Sequence, residues 1–589
     1  MSTTRAPYAG TRRKLSIAFD VGTTYSGISY SILDPGQVPE IKGVTKFPAQ
    51  DQVSGSSKIP TIIYYDTNGR ARAMGAEAMQ EGIYETAEDE DWIKAEWFKL
   101  HLRPRSNATQ EITGQLPPLP PGKSVLDVLA DFLRYLFKCA RTYIEETHAN
   151  GVDLWLSVEK DIEFVLSHPN GWEGAQQTQM RKAAVLAGLI PDNQGGYDRI
   201  AFVTEGEASL HFSIRNGLPS SALKEGDGVV IVDAGGGTID ISAYARNPNV
   251  STSFDEIAAP QCHFHGSIFV SIHARLFLEK LLSESAFLDD LDHIVRCFDK
   301  TTKLRFRNSE EPQFIKFGGT RDNEPDCNIR YGQLKLTGAE VAEFFEPSIK
   351  CIVESVREQR RTGHKKFSNV ILVGGFAASD WLYNKVSDRL KPDGFTIIRP
   401  DNHVNKAVAD GALSYYIDHH VKTRVSKITY GSRGGINYDA SNSEHSKRSH
   451  LVLTSISGIR RLGGIFWVLL PTNTQVSETK EFRRAHYWEF DNLSGLSTAS
   501  TAVWGYKGTV SDAAFMDVNT SLYSQLCTIE VDLSHLKPSP KSVNASTSTY
   551  YKVDYELIML FGGTELKAQL AWKENGVEKR SAAKIVYSD

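Results

Sequence analysis

Apolar residues first recur at every second position. Leu15-Ser-Ile-Ala-Phe19 alternates, and Ser26 to Leu33 resumes the pattern, so two strands are predicted with a short turn between them. The stretch LPPLPPG at 116–122 excludes a helix interior and reads as a surface connection. Ser124, with Asp127 three residues on, marks a helix start. Val125, Leu126, Leu129, Phe132, Leu133, Leu136, Ala140, Tyr143 and Ile144 then recur at helical spacing, which predicts a long amphipathic helix. Ile162 to Ser167 is a strand stopped by Pro169, followed by a helix at about 173–188. Val229–Val232 and Asn369–Val373 are continuous apolar runs, expected of strands covered on both faces. Helical periodicity returns at 268–283, 338–360, 379–390 and 404–420, so the chain up to about 420 is expected to be α/β.

The texture then changes. Residues 431–449, rich in Gly, Ser, Asn and charge, read as a loop. Period-two strands follow at Ile465–Leu470, Thr479–Trp488, Thr528–Leu533, Tyr551–Phe561 and Leu566–Trp572. Asn575-Gly576 is a hairpin turn expected to join the last of these to Lys584–Tyr587. The stretch 541–549 reads as a flexible loop, and residues 1–13 as a basic, disordered tail. An all-β sandwich is the expectation for 421–589.

Composition narrows the function class. The 589 residues hold 66 Lys and Arg against 71 Asp and Glu, a net charge of −5, which argues against nucleic acid as the main partner. No run approaches the ~18 apolar residues that cross a bilayer, and the first residues lack the apolar core of a secretory signal. Six cysteines are widely spaced with no C-x-x-C pair, as expected of reduced thiols rather than a metal site. A monomer in the cytoplasm or nucleus, without membrane contact, is the expectation.

Three glycine turns carry the candidate chemistry, and each follows a strand. In Asp20-Val-Gly-Thr-Thr-Tyr-Ser26, Gly22 lets the backbone fold tightly, and successive amides form a nest for phosphate oxygens. Thr23 and Thr24 add hydroxyl donors, and Asp20 is placed to hold a cation through water. Asp233-Ala-Gly-Gly-Gly-Thr-Ile-Asp240 repeats the arrangement with Gly235, Gly236, Gly237 and Thr238, which suggests a duplicated fold with phosphates between its halves. Gly374-Gly375 offers close backbone approach to a flat ligand face or its sugar. A single such turn is equally a structural hairpin; the ordered set of three is far more specific. Neither a G-x-x-x-x-G-K-[ST] loop nor a G-x-G-x-x-G fingerprint is present.

With these turns in order, the chain resembles the actin-like ATPase superfamily and, more closely, the seventy-kilodalton heat-shock chaperones. Tyr25 after the two threonines is similar to that family's first phosphate loop, and Asp233–Asp240 to its second. Val165–Pro169 with the helix through Ala187-Gly188, Phe202–Ala208, Ile371–Gly375 and Lys406–Ala412 resemble its first connecting segment, catalytic-glutamate stretch, adenosine loop and second connecting helix. The resemblance implies two ribonuclease-H-like lobes, at 14–228 and 229–403, a helix at 404–420 returning to the first lobe, and a β-sandwich at 421–589 without a helical lid. It implies ATP or ADP with Mg²⁺, held through water by Asp20 and Asp233. The phosphates would meet Thr23, Thr24, Gly235, Gly236 and Thr238, and the nucleotide as a whole Gly22, Tyr25, Gly237, Gly266, Lys303, Gly374, Gly375 and Phe376. Glu205 and Asp240 would position the attacking water, with Lys99 as catalytic lysine and Lys94 as second choice.

Three departures accompany it. Phe376-Ala-Ala-Ser-Asp380 stands where the family continues into Ser and Arg, Lys303 replaces an arginine, and 413–430 lacks the acidic-leucine linker. A chaperone-like ATPase with slow hydrolysis and unidentified protein clients or cochaperones leads. A nucleotide-gated interaction module is the main alternative, with a small-molecule kinase and a filament former behind it.

Overall fold

The computed structural model describes residues 5–52, 57–103, 116–172, 174–216, 218, 228–250, 253–400, 407–509, 514–543, 548–562 and 565–585. The chain divides into a first unit of 1–172 and 176–421 and a second made mainly of 422–589.

In the first unit the labelled elements run β1 (Lys14–Val21), β2 (Tyr25–Leu33), α1 (Val125–Thr147), β3 (Ile162–His168), β4 (Ile200–Thr204), α2 (Glu205–Arg215), β5 (Gly228–Ala234), β6 (Ile239–Arg246), α3 (Ser267–Leu281), α4 (Gly338–Thr362), β7 (Phe367–Val373), β8 (Thr396–Ile398) and α5 (Ala407–Asp418). One sheet orders its strands β2-β1-β3-β4, with β1 and β2 antiparallel and β3 and β4 following in parallel. A second sheet contains β8-β7-β5-β6, again with an antiparallel hairpin, β5 and β6, beside two parallel strands. The mixed α/β character that the sequence predicts is therefore present.

Both hairpins are buried on two faces. Leu15, Ile17 and Phe19 of β1 join one apolar cluster, while Ala18 joins another with Val165, Ala208 and Ala412. Val230 and Val232 of β5 face a core with Phe345 of α4, whereas Val229 and Ile231 face the opposite side. Helix α1 begins as its sequence predicts: the Asp127 amide donates to Ser124 Oγ (3.2 Å), and the Ser124 amide donates to Asp127 Oδ2 (2.9 Å). Helices α2 and α5 approach backbone to backbone, because a Cβ at Gly411 would fall well under 3.0 Å from the Ala208 carbonyl.

The second unit has two antiparallel sheets. One orders Arg460–Leu470, Thr429–Asn437, Ala499–Tyr506 and Tyr523–Val531; the other Phe482–Phe490, Thr549–Gly562, Glu565–Glu574 and Val577–Arg580. A single apolar cluster takes Leu470, Val503 and Ile529 from the first sheet and Leu557, Met559 and Leu570 from the second. Among the described residues no helix is long and apolar enough to cross a membrane, and the six cysteines are free.

Several expectations are corrected. The expected loop at 431–449 is a strand as far as Asn437, followed by a short helix at Ser443–Lys447. Its glycines masked a strand that pairs on both edges. The expected tail is tied down over its described part: Arg5 is buried and donates to Asp418 (3.0 Å) and the Pro39 carbonyl (3.2 Å). Asn575-Gly576 is a hairpin turn, with φ of 50° and 82°, but it leads into Val577–Arg580, because Glu574 pairs with Val577. Lys584–Ile585 returns to the same strand further along. Residues 1–4, 404–406, 544–547 and 586–589, which carry parts of the tail, the returning helix, the 541–549 loop and the last strand, lie outside the described residues.

Gly411→Ala should destabilise the first unit by about 1–3 kcal/mol through overpacking. Chemical denaturation checks this, and wild-type stability in the variant would contradict the close approach of α2 and α5.

Candidate functional site

The site forms where the β1–β2 and β5–β6 hairpins meet. Across them Asp20 pairs in register with Gly27, and Asp233 with Asp240, so carboxyl groups stand at the strand ends beside each turn. The turns touch: a Cβ at Gly236 would lie under 3.0 Å from Thr24 Oγ1, and one at Gly237 equally close to Thr23 Oγ1. Only glycine admits that approach. The third turn closes on the second, with Gly374 at φ +92° and no room for a Cβ beside Asp233 Oδ1. The amides of Gly266, Ser267 and Ile268, entering α3, donate to the carbonyls of Gly237, Gly235 and Gly236 at 3.2, 3.1 and 2.9 Å. Those carbonyls are thereby committed to the helix, while the Gly236 and Gly237 amides have no acceptor among the described residues. Such a pair of successive amides suits an anion.

Four carboxyl groups and two ammonium groups line this junction. Lys99 Nζ donates to Glu205 Oε1 at 2.6 Å, and both side chains are buried. Lys58 Nζ donates to Asp20 Oδ2 at 2.7 Å, and Ser167 Oγ to Asp20 Oδ1 at 3.2 Å. Ser209 Oγ donates to Asp233 Oδ2 at 2.7 Å. Asp240 Oδ1 accepts from the Asn170 amide at 2.6 Å, while its buried Oδ2 makes no hydrogen bond among the described residues. Asn170 is a hub. Its Nδ2 donates to Ser242 Oγ (2.8 Å) and to the carbonyls of Ile241 and Gln261 (3.2 Å each), and its Oδ1 accepts from the Gly206 amide (3.2 Å). It thereby links the end of β3 to β6 and to the helix that starts with Glu205.

Burial, reinforced by the Glu205 charge, pushes the Asp233 carboxyl up to about 7. The same two causes push Asp240 well above the ordinary carboxyl range. Burial works against the Lys99 ammonium, but Glu205, Asp20 and Asp240 together outweigh it and raise its pKa.

The structure brings Asp20, Thr23, Thr24, Lys99, Glu205, Asp233, Gly235, Gly236, Gly237, Asp240, Gly266 and Gly374 to this junction. Thr238 is buried at the end of the second turn, where its carbonyl accepts from the Gly235 amide (2.9 Å). Gly22 keeps the first turn tight against the Tyr25 carbonyl, and the Tyr25 side chain is exposed. Lys94 pairs instead with Glu96 at 2.7 Å on a small separate sheet. Lys303 is buried and donates to Ser267 Oγ and Ser271 Oγ at 3.1 Å each and to Asp299. Gly375 leads into a short turn of helix at Phe376–Ala378. Phe376 itself is in the core beside Phe345, with ring centroids 6.1 Å apart, so its ring is withdrawn from the site. Near that turn Arg399 donates to Asp380 (2.9 Å) and the Ala377 carbonyl (3.2 Å), and Arg307 pairs with Asp380 (2.9 Å). Sequence reasoning missed Lys58, Ser167, Asn170 and Ser209. Ser167 lies within Val165–Pro169, and Asn170 and Ser209 directly follow Pro169 and Ala208, but none of the four sits in a spacing pattern of its own.

No family model matches the chain. Over 502 aligned residues it is 24% identical to mouse heat shock 70 kDa protein 12A, covering 70% of this chain and 71% of the relative. The human 12A protein is also 24% identical, and human heat shock 70 kDa protein 12B is 22% identical over the same length. The chain is a divergent relative of the seventy-kilodalton heat-shock proteins. In this chain the Gly236 and Gly237 amides are the feature that fits a bound polyphosphate, whereas the open Asp240 oxygen calls for a hydrogen-bond donor such as water.

The raised Asp233 carboxyl has a consequence for stability. The folded protein holds that proton more tightly than the unfolded chain, so the stabilisation is complete below the ordinary value of 3.8 and is lost as pH rises through about 7. Between about pH 5 and 8 the melting temperature should fall less steeply in Asp233→Asn than in the wild type. An unchanged slope by differential scanning calorimetry would remove Asp233 as its source.

Proposed function

We propose that the chain is a nucleotide-binding, chaperone-like protein that hydrolyses ATP slowly. Its first unit would be a two-lobed, duplicated actin-like ATPase, and its second a β-sandwich presented to protein clients. One observation carries the reading: two threonine-and-glycine turns in contact, flanked by the buried Lys99–Glu205 pair and by Asp240. The amides of Gly236 and Gly237 and the hydroxyls of Thr23, Thr24 and Thr238 bind the phosphates, and Lys99 brings positive charge to the transferred group. Glu205 and Asp240 orient the attacking water, whose proton passes to a carboxylate oxygen as the bond from phosphorus to the ADP oxygen breaks. Magnesium, when bound with the nucleotide, supplies charge neutralisation and would be held through its waters by Asp20 and Asp233.

A second reading, a nucleotide-gated module with little turnover, is favoured by the nucleoside side of the site. Phe376 is in the core, and Lys303 is engaged by Asp299 and two serines. Single-turnover assays with labelled ATP separate the two. Glu205→Gln and Lys99→Met should each slow phosphate release by about 100-fold or more. ATP binding without phosphate release from the wild type would favour the gated module. No calorimetric binding at millimolar ATP would remove both readings.

Gly236→Ala should weaken ATP binding by about tenfold or more, because its methyl group would enter the space between the two turns. Calorimetry that finds wild-type affinity in this variant would place the phosphates elsewhere.

A further inference from the structure

Asn170 is fully buried two residues beyond the end of β3, and its main chain and side chain serve different elements. Its main-chain amide donates to Asp240 Oδ1 at 2.6 Å. Its side chain turns the other way, toward the start of α2. The amides of a helix's first turn have no partner within the helix. In α2, Thr204 Oγ1 accepts from the Glu207 amide at 3.2 Å, the usual cap from the residue before the helix. The Gly206 amide, directly after Glu205, is met from another segment, by Asn170 Oδ1 at 3.2 Å. Asn170 Nδ2 in turn donates to Ser242 Oγ and the Ile241 carbonyl of β6, and to the carbonyl of Gln261 on the short strand Gln261–His263 that pairs with β6. A Cβ at Gly206 would lie under 3.0 Å from Ser242 Oγ and 3.0 Å from Asn170 Nδ2 and Oδ1. The helix start, the Asn170 side chain and β6 are therefore in mutual contact.

We propose that Asn170 is a positioning residue for hydrolysis: it fixes Glu205 and Asp240 relative to each other, its side chain capping α2 beside Glu205 while its main chain holds Asp240. Glu205 opens a helix and Asp240 lies in a strand of the other hairpin, so neither element by itself sets the distance between them. Two acidic side chains offer each other no attraction that would set it either. Asn170 supplies the connection, because one residue is bonded to both elements and its own movement is blocked by β6 on one side and α2 on the other. A water aligned by two groups is sensitive to such placement, since a displacement of about 1 Å costs about 100-fold in rate. Asn170 acts only through the two carboxyl groups. The proposal deepens the nucleotide reading and rests on it for the reaction, whereas the connection itself exists without nucleotide.

Two measurements on the full chain test it. The first is hydrogen exchange of the nucleotide-free protein, resolved to single amides by mass spectrometry. In Asn170→Ala the Gly206 amide should exchange about tenfold or more faster than in the wild type, while the Glu207 amide, capped by Thr204, changes by less than about threefold. The second is single-turnover hydrolysis at saturating ATP. Asn170→Ala should slow phosphate release by about tenfold or more, with the calorimetric Kd for ATP within about threefold of the wild type. In a Glu205→Ala background the same substitution should cost less than about threefold, because one of the two groups it places is gone. A merely structural role would weaken ATP binding together with turnover and would slow both backgrounds alike. Should Asn170→Ala fail to fold by circular dichroism, Asn170→Ser, whose side chain is one bond shorter, carries the same expectations. Unchanged exchange at Gly206, a loss of affinity that matches the loss of rate, or equal losses in the two backgrounds would each overturn the proposal. If the wild type binds no ATP or releases no phosphate, the hydrolytic reading is what fails, and the exchange measurement still decides whether Asn170 holds the start of α2.

Discussion

Four carboxyl groups are buried where two strand hairpins meet, and balancing their charge is the constraint on which the first unit depends. An unpaired buried carboxylate is prohibitively costly. Two are neutralised by lysines that arrive from outside the hairpins, Lys99 on Glu205 and Lys58 on Asp20. The other two are met by Ser209 and by the Asn170 amide, and burial shifts them toward the protonated form. Each partner comes from a different stretch of chain, so the cluster also records how those stretches must pack.

That packing relies on small residues. Gly236 and Gly237 let the second turn lie against Thr24 and Thr23, and Gly411 lets α5 lie on α2, the helix that begins with Glu205. Asn170 then joins the end of β3, the β6 strand and the first turn of α2 through side-chain hydrogen bonds. Close backbone approach and one saturated amide side chain hold the carboxyl groups in fixed relation. Preorganisation of this kind would suit the phosphoryl chemistry proposed for the site.

The second unit follows a plainer physics. Two antiparallel sheets share one apolar cluster, and strands with period-two patterning supply it. Its exposed side carries an ionic network in which Arg483 pairs with Glu481, Glu556 and Glu578, and Arg580 with Glu481 and Glu578.

The sequence by itself determined the strands and helices with strong periodicity, the capped start of α1, the order of the three glycine turns and the aspartates beside them. Those are local properties, set by side-chain spacing and backbone freedom within a few residues. It failed where glycine and polar residues occupy a paired strand, as at 431–437, and at Asn575-Gly576 it recognised the turn but not the strand that follows. Only the tertiary structure decided the rest. It paired Lys99 with Glu205 and Lys94 with Glu96, sent Phe376 into the core, and brought Lys58, Asn170 and Ser209 to the carboxyl groups. The physical reason is that charge compensation and hydrogen-bond saturation act across space. The residues that satisfy a buried carboxyl come from distant segments and leave no periodicity or spacing along the chain.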